Sequence, residues 1–191
     1  MANVSRVNGL RLVKSLTGPT MGNLETFSVL SSDATALFVG DIVKSSGTAD
    51  ANGVQAITRL TTNGDLPTGV ITGFLPDYTN LNTPQGYRAA STARMVYLAV
   101  DPSLVFEVQA SAATAVADIG LNVGVTFTAG STTTGLSGML ADMTTKATSA
   151  ALPLKIVGVV QRPDQDMSDS SNWKLLVTLN TNNFAGNTAG T

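Results

Sequence analysis

The sequence contains no histidine and no cysteine. Without histidine the chain lacks the commonest general base and the commonest metal ligand. Without cysteine it can form no disulfide, no thiolate zinc site and no Fe–S cluster. Ser–His and Cys–His nucleophile pairs are therefore excluded within one chain. Charge is also scarce: 11 Lys+Arg and 13 Asp+Glu make up 13% of 191 residues, about half the usual share. A net charge of −2 does not suit a broad phosphate-binding surface, so nucleic acid is not an expected partner. Long apolar runs are missing too. Met95–Val100 is far short of the roughly 20 residues that span a bilayer, and the start lacks the apolar core of a signal peptide. The chain is expected to be made in a cytoplasm and to cross no membrane by a signal of its own.

What is present points to strands and turns. The hydrophobic fraction, 43%, is ordinary, so the composition is not that of a disordered chain. Among the acids only Glu25 and Glu107 are Glu, the rest being Asp, whose short side chain favours turns over helices. Alternation or short apolar runs mark strands at Thr26–Leu30, Ala36–Val39, Ile42–Lys44, Val54–Leu60, Gly69–Leu75, Met95–Val100, Leu104–Gln109, Val123–Thr128, Leu154–Gln161 and Trp173–Leu179. Asn52-Gly53 and Asn63-Gly64 are hairpin signals, and the strands from Leu37 to Leu75 read as a meander. A long loop, 76–93, carries Tyr78, Tyr87 and Arg88. Ala110–Gly120 is the one expected helix, ended by Gly120. The fold class that follows is all-β: a single-domain antiparallel β-barrel or sandwich with one short helix and an extended N-terminal arm. Its expected parts are the arm (1–24), a β-rich core (25–181) and a polar C-terminal tail (182–191); the arm contains one possible strand, and the alternative reading tucks that strand into the protein's own sheet.

No pattern singles out a cofactor, a metal or a catalytic group. Asp164, Asp166 and Asp169 open like a calcium loop, yet the sixth and twelfth positions are Asp169 and Leu175, where an EF-hand needs Gly and Glu. Asp41, Asp65 and Asp101 each sit in a turn context, which accounts for them without an acid pair of the kind that glycoside hydrolysis requires. Two stretches stand out instead as contact surfaces. The arm offers Arg6, Leu10, Arg11, Leu12 and Lys14, able to add to a neighbouring strand edge or reach an acidic neighbour. The nearly uncharged stretch Gly130–Ala151 offers Thr132, Thr133, Thr134, Leu136 and Met139, which can be covered at little desolvation cost.

Several segments together carry a family resemblance. They are Asn-Val-Ser-Arg-Val-Asn-Gly-Leu-Arg (3–11), Ser-Asp-Ala-Thr-Ala-Leu-Phe-Val-Gly-Asp-Ile-Val-Lys (32–44), Gly-Thr-Ala-Asp-Ala-Asn-Gly-Val (47–54) and Thr-Gly-Val-Ile-Thr-Gly-Phe (68–74). Tyr-Arg-Ala-Ala-Ser-Thr-Ala-Arg-Met-Val-Tyr-Leu-Ala-Val-Asp-Pro (87–102), Gly-Ser-Thr-Thr-Thr-Gly-Leu-Ser-Gly-Met (130–139) and Leu-Pro-Leu-Lys-Ile-Val-Gly-Val-Val-Gln-Arg-Pro (152–163) complete it. Over nearly its full length the chain resembles the decoration, or cement, proteins of tailed-bacteriophage heads. The resemblance implies a virion protein without enzymatic activity. It would lie on the outer capsid surface and clamp adjacent major capsid protein subunits as a homo-oligomer, a trimer favoured over a dimer. Another virion component is the alternative: a head-fibre base or tail protein with a carbohydrate-binding face around Tyr78, Tyr87 and Trp173, although Trp173 starts a strand face shared with Leu175, Val177 and Leu179 and reads as core.

Overall fold

A computed structural model describes residues 3–18, 24–78, 80, 82, 84 and 86–185. The chain runs through β1 (Arg11–Ser15), β2 (Leu24–Val29), β3 (Leu37–Phe38), β4 (Ile42–Ala49), β5 (Gln55–Arg59), β6 (Gly69–Phe74) and β7 (Tyr87–Arg88). It continues through β8 (Arg94–Ala99), β9 (Leu104–Gln109), β10 (Asn122–Thr126), β11 (Leu140–Ala147), β12 (Leu154–Val159) and β13 (Lys174–Leu179). The all-β expectation holds. Strands β2, β5, β4, β6 and β8 close into a barrel in that order, while β1-β9-β13-β12-β10-β11 form a six-stranded sheet. A closed ring of five strands cannot alternate direction throughout, so one pair must be parallel. That pair is β2 with β5, joined at Ser28 and Ala56. The remaining barrel pairs are antiparallel, as are all pairs of the sheet.

Successive side chains of a strand point to opposite faces, and the barrel wall uses both. Val43, Ile71 and Leu98 fill the barrel interior with Phe27, Leu37 and Ile57. Their chain neighbours Ile42, Val70 and Ala99 point outward and join the larger core built on the sheet around Phe106, Trp173 and Val177. The sheet curls so that Ala110, just past β9, bridges Ala141 of β11. One sheet edge is thereby partly covered, and β1 is left as the other.

Several expected elements take a different form. Asn52-Gly53 does turn β4 into β5, with Gly53 at φ +80. The meander stops there, because β6 adds to β4 rather than to β5. Asn63-Gly64 makes no hairpin: the Asn63 side chain accepts a hydrogen bond from Val125 N at 2.7 Å and ties the barrel to β10. The expected helix over Ala110–Gly120 is a single 3-10 turn, Val116–Asp118. The amides of Ala110, Ser111 and Thr114 are already committed to Trp173, Ala141 and Ser170 carbonyls, and so short an Ala-rich segment is marginal as a helix by itself. The stretch 129–151 holds a strand, β11, whose signal lay in Met139, Ala141 and Met143, buried at every second position. The tail begins inside the fold. Asn182 is buried and donates to Val100 O at 2.9 Å, and Phe184 meets the Phe27 ring at 6.3 Å; residues 186–191 lie outside the described residues.

The 3-10 turn is anchored by Asp118, whose carboxylate meets Lys146 Nζ at 2.8 Å. Burial raises its pKa, but the Lys146 hydrogen bond and the Ala115 amide more than reverse this, so it falls below the ordinary 3.8. A carboxylate depressed in the folded state stabilises the protein above its unfolded pKa and loses that contribution as pH falls through the folded value. Thermal unfolding followed from pH 6 downward should therefore show a decline below about pH 4. Asp118→Asn should flatten part of it; an unchanged acid limb would show that this pair carries none of the dependence.

Candidate docking surface

The N-terminal segment reads either as an extended, partner-contacting arm or as a first strand tucked into its own sheet, and the structure shows it docked on its own sheet. Asn3 is buried and fixed at several points. Its backbone N–H donates to Asp169 Oδ2 at 2.8 Å. Its amide nitrogen donates to the carbonyls of Asp166, Asp169 and Ser171 at 2.9, 2.9 and 3.0 Å, and its amide oxygen accepts from Asp166 N at 2.7 Å. The acidic loop that opened like a calcium site is thus a seat for the chain start. The amides of Ser171 and Asn3 hold the Asp169 carboxyl below the usual range. Arg6 N donates to Gln109 Oε1 at 2.6 Å, and Leu10 N donates to Gly40 O at 3.0 Å. Then Arg11–Ser15 pairs with β9, with a bulge between Leu12 and Lys14. Residues 1, 2 and 19–23 of the expected arm lie outside the described residues.

Docking consumes one side of this segment and leaves the other in solvent. Val4 and Leu16 are 62% and 61% exposed, and Val7 and Val13 are also outward. Arg6, Arg11 and Lys14 are exposed between them, so apolar and basic groups alternate along the outer side. Of the expected contact residues on this segment, Leu10 is a correction. It is 2% exposed and belongs to the core, because the turn at Gly9 points it inward. Leu12 is half-buried against the same core.

Beside the segment lies a hollow of about 260 Å³ lined by Arg6, Arg11, Glu107, Arg162, Asp164 and Lys174. Arg162 grips Glu107 with two bonds of 2.6 and 3.2 Å and reaches Asp164 at 3.4 Å. Arg6 approaches Asp164 more loosely, at 3.9 Å. Lys174 Nζ donates to Gln109 Oε1 at 2.5 Å, and burial lowers its pKa. Four cations face two carboxylates here, so the hollow carries an excess of positive charge on a surface otherwise poor in it.

Next to Val7 lie residues 128–140, which include the start of the expected low-charge stretch Gly130–Ala151. This piece is folded onto the barrel. Val39 N donates to Gly135 O and Ser137 N to Val39 O at 3.0 and 2.9 Å. Asp41, fully buried, accepts from Ser137 Oγ at 2.6 Å and from Phe38 N at 2.9 Å, and Arg59 donates to Thr128 O. Burial raises the Asp41 pKa against the pull of Ser137, Arg59 and the Phe38 amide. Met139 is the second correction: it is fully buried, and its Sδ accepts from Ile42 N at 3.4 Å. Thr132, Thr133 and Thr134 remain exposed at the tip and Leu136 is half-buried. A shallow groove without a charged residue is lined by Val7, Thr134, Leu136 and Leu140. The two expected contact surfaces therefore meet, with Val7 between the basic hollow and the uncharged tip.

They cross at Gly9, which has φ +66 and no room for a side chain: a Cβ would overlap Ser137 and lie 2.7 Å from Gly40 O. Gly9→Ala is expected to lower unfolding free energy by about 2–3 kcal/mol, combining a left-handed backbone penalty with overpacking. Urea denaturation measures it, and a loss under about 0.5 kcal/mol would mean that the crossing is loose.

The other singled-out residues have structural roles. Asp41 is inaccessible, Asp65 pairs with Lys44 at 2.9 Å, and Asp101 accepts from Ser103 N at 2.7 Å to cap its turn. No group of three or more acidic residues able to hold a metal occurs among the described residues. Of the aromatics named for a sugar-binding face, Trp173 is core, as its strand face predicts, and Tyr87 stacks on Phe38 at 5.3 Å, whereas Tyr78 is open to solvent. The seat of Asn3 had no signal in sequence, since Asn3 and Asp169 are 166 residues apart. Against family models, curated proteins and solved structures, the chain matches nothing.

Proposed function

We propose that this protein is a structural component of a tailed-bacteriophage head. It sits on the outer capsid surface and clamps adjacent major capsid protein subunits, acting as a homo-oligomer, with a trimer favoured. The observation that carries the reading is the outer side of the docked N-terminal segment. Exposed Val4, Val7, Val13 and Leu16 alternate there with basic residues and adjoin an uncharged threonine tip. β1 is an edge of the six-stranded sheet, and an edge that interleaves apolar and basic side chains suits the addition of a partner's strand. The basic hollow adds electrostatic register against an acidic neighbour, which chiefly sets on-rate and specificity. The absence of charge from the tip keeps desolvation small.

A clamp of this kind resists the outward push of packed DNA by burying area across the seam between subunits. A standard interface buries about 1,600 Å² in total. An oligomer that engages several subunits multiplies modest affinities through effective concentration. Rigidity helps, because no ordering entropy is then lost on binding, and the segment's fixation at Asn3, Arg6 and Leu10 supplies it.

The test is to mix the purified protein with heads lacking it and image the particles by cryo-EM, with solution mass measured in parallel. Regular density on the outer surface at subunit junctions is expected. Failure to bind any head, or catalytic turnover by the purified protein, overturns the reading.

A further inference from the structure

At the mouth of the barrel a cleft of about 450 Å³ opens between the end of β2, the turn at Asp50–Asn52 and the segment Leu75–Tyr78. Its floor is apolar, formed by Val29, Leu30, Leu75 and Met95. Tyr78 stands on the rim, 81% exposed, a large ring held in water beside an apolar surface. Asp50 and Asp77 also line the cleft. Asp50 Oδ1 accepts the amides of Asn52 and Val54, both at 2.9 Å, and among the described residues no cation forms an ion pair with Asp50. The cation that lines the cleft, Arg94, is turned away from solvent. It donates to the carbonyls of Leu75, Pro84 and Tyr87, lies 5.3 Å over the Phe74 ring and shares the field of Asp77.

The cleft therefore combines an uncompensated carboxylate, an exposed aromatic face and an apolar floor. An aromatic face attracts a cation, and the aliphatic stem of a lysine or arginine lies on apolar surface while its head stays polar. We propose that this cleft takes a lysine or arginine side chain presented by an extended segment of another protein. A neutral saccharide could stack on Tyr78 but would gain nothing from the Asp50 charge, and an anion would be repelled by it. The cleft is separate from the N-terminal surface, so the proposal stands or falls independently of the clamp reading.

The full chain is titrated with N-acetyl-lysine methylamide, its norleucine counterpart and maltose, with the Tyr78 ring resonances followed by NMR. The lysine compound should bind with a Kd of about 1–10 mM and the norleucine compound about tenfold more weakly or not at all. Tyr78→Ala and Asp50→Asn should each weaken lysine binding about three- to tenfold. In Asp50→Asn an oxygen remains for the Asn52 and Val54 amides, so the turn is kept while the charge is lost, and an unchanged Tm confirms it. Equal binding of the lysine and norleucine compounds, preference for maltose, or no shift of Tyr78 with any of the three overturns the proposal.

Discussion

Replacing Arg88 with alanine is expected to lower the unfolding free energy by about 4–5 kcal/mol, the range for stripping a partner from a buried charged network. The Arg88 side chain is wholly buried. Its Nε donates to Thr92 O at 2.6 Å, one terminal nitrogen to Thr35 O at 2.6 Å, and the other to Leu30 O and Asp33 O at 2.7 and 2.8 Å. One guanidinium thus holds four backbone carbonyls from two loops, with the Asp33 carboxylate 3.9 Å away. Burial lowers the Arg88 pKa and Asp33 partly restores it. Alanine would strip Thr35 O and Thr92 O of their donor and leave Leu30 O and Asp33 O with only the amides of Asp33 and Ser91, and each unsatisfied group costs about 1–3 kcal/mol. Lysine would recover little, because three hydrogens on a point cannot reproduce a planar fork with five. Urea titrations followed by Trp173 fluorescence measure both variants. A loss under about 1 kcal/mol for alanine would mean that water reaches those carbonyls.

The second large effect separates folding from docking. Deleting residues 1–16 removes Leu10 from the core, the Asn3 seat and the whole of β1, so the truncated chain is expected to fold poorly or not at all. Burial of a leucine contributes about 1.5–3 kcal/mol by itself. Deletion therefore cannot test whether this segment touches a partner. The triple substitution Arg6→Glu, Arg11→Glu, Lys14→Glu can. Arg6 is bound to Gln109 through its backbone N–H, and the side chains of all three are exposed, so Tm should move by only a few degrees. Binding to heads should fall about 100-fold or more, because like charges facing each other cost several kcal/mol. Undiminished binding by a folded triple variant would remove the basic strip from the clamp reading. A collapse of Tm instead would assign these residues to stability.

The sequence made the architecture legible wherever apolar residues recurred at every second position of a strand. Leu104, Phe106 and Val108 announced β9 by simple alternation, and Trp173, Leu175 and Val177 placed a tryptophan in the core. Strands of the barrel wall were harder, since Ile42-Val43 and Val70-Ile71 are buried on both faces and show no alternation that assigns each residue to a core. Arg88 read as a loop cation because burial of a guanidinium depends on carbonyls contributed by Leu30, Asp33, Thr35 and Thr92, which no local pattern brings together. The docking surface was half legible. The basic and uncharged stretches were visible as compositions, whereas their meeting at Val7 and Gly9 is a product of tertiary pairing. Leu10 and Met139 were misplaced for the same reason: an apolar residue in a polar context can face either way, and only the register of its neighbours decides.

The shared wall between barrel and sheet has a thermodynamic consequence. Ile42, Val70 and Ala99 seal one core while Val43, Ile71 and Leu98 seal the other, so melting the barrel strips a side from the sheet's interior as well. Two hydrophobic centres are thereby coupled into one cooperative unit, and heating should give a single calorimetric transition whose van't Hoff and measured enthalpies agree.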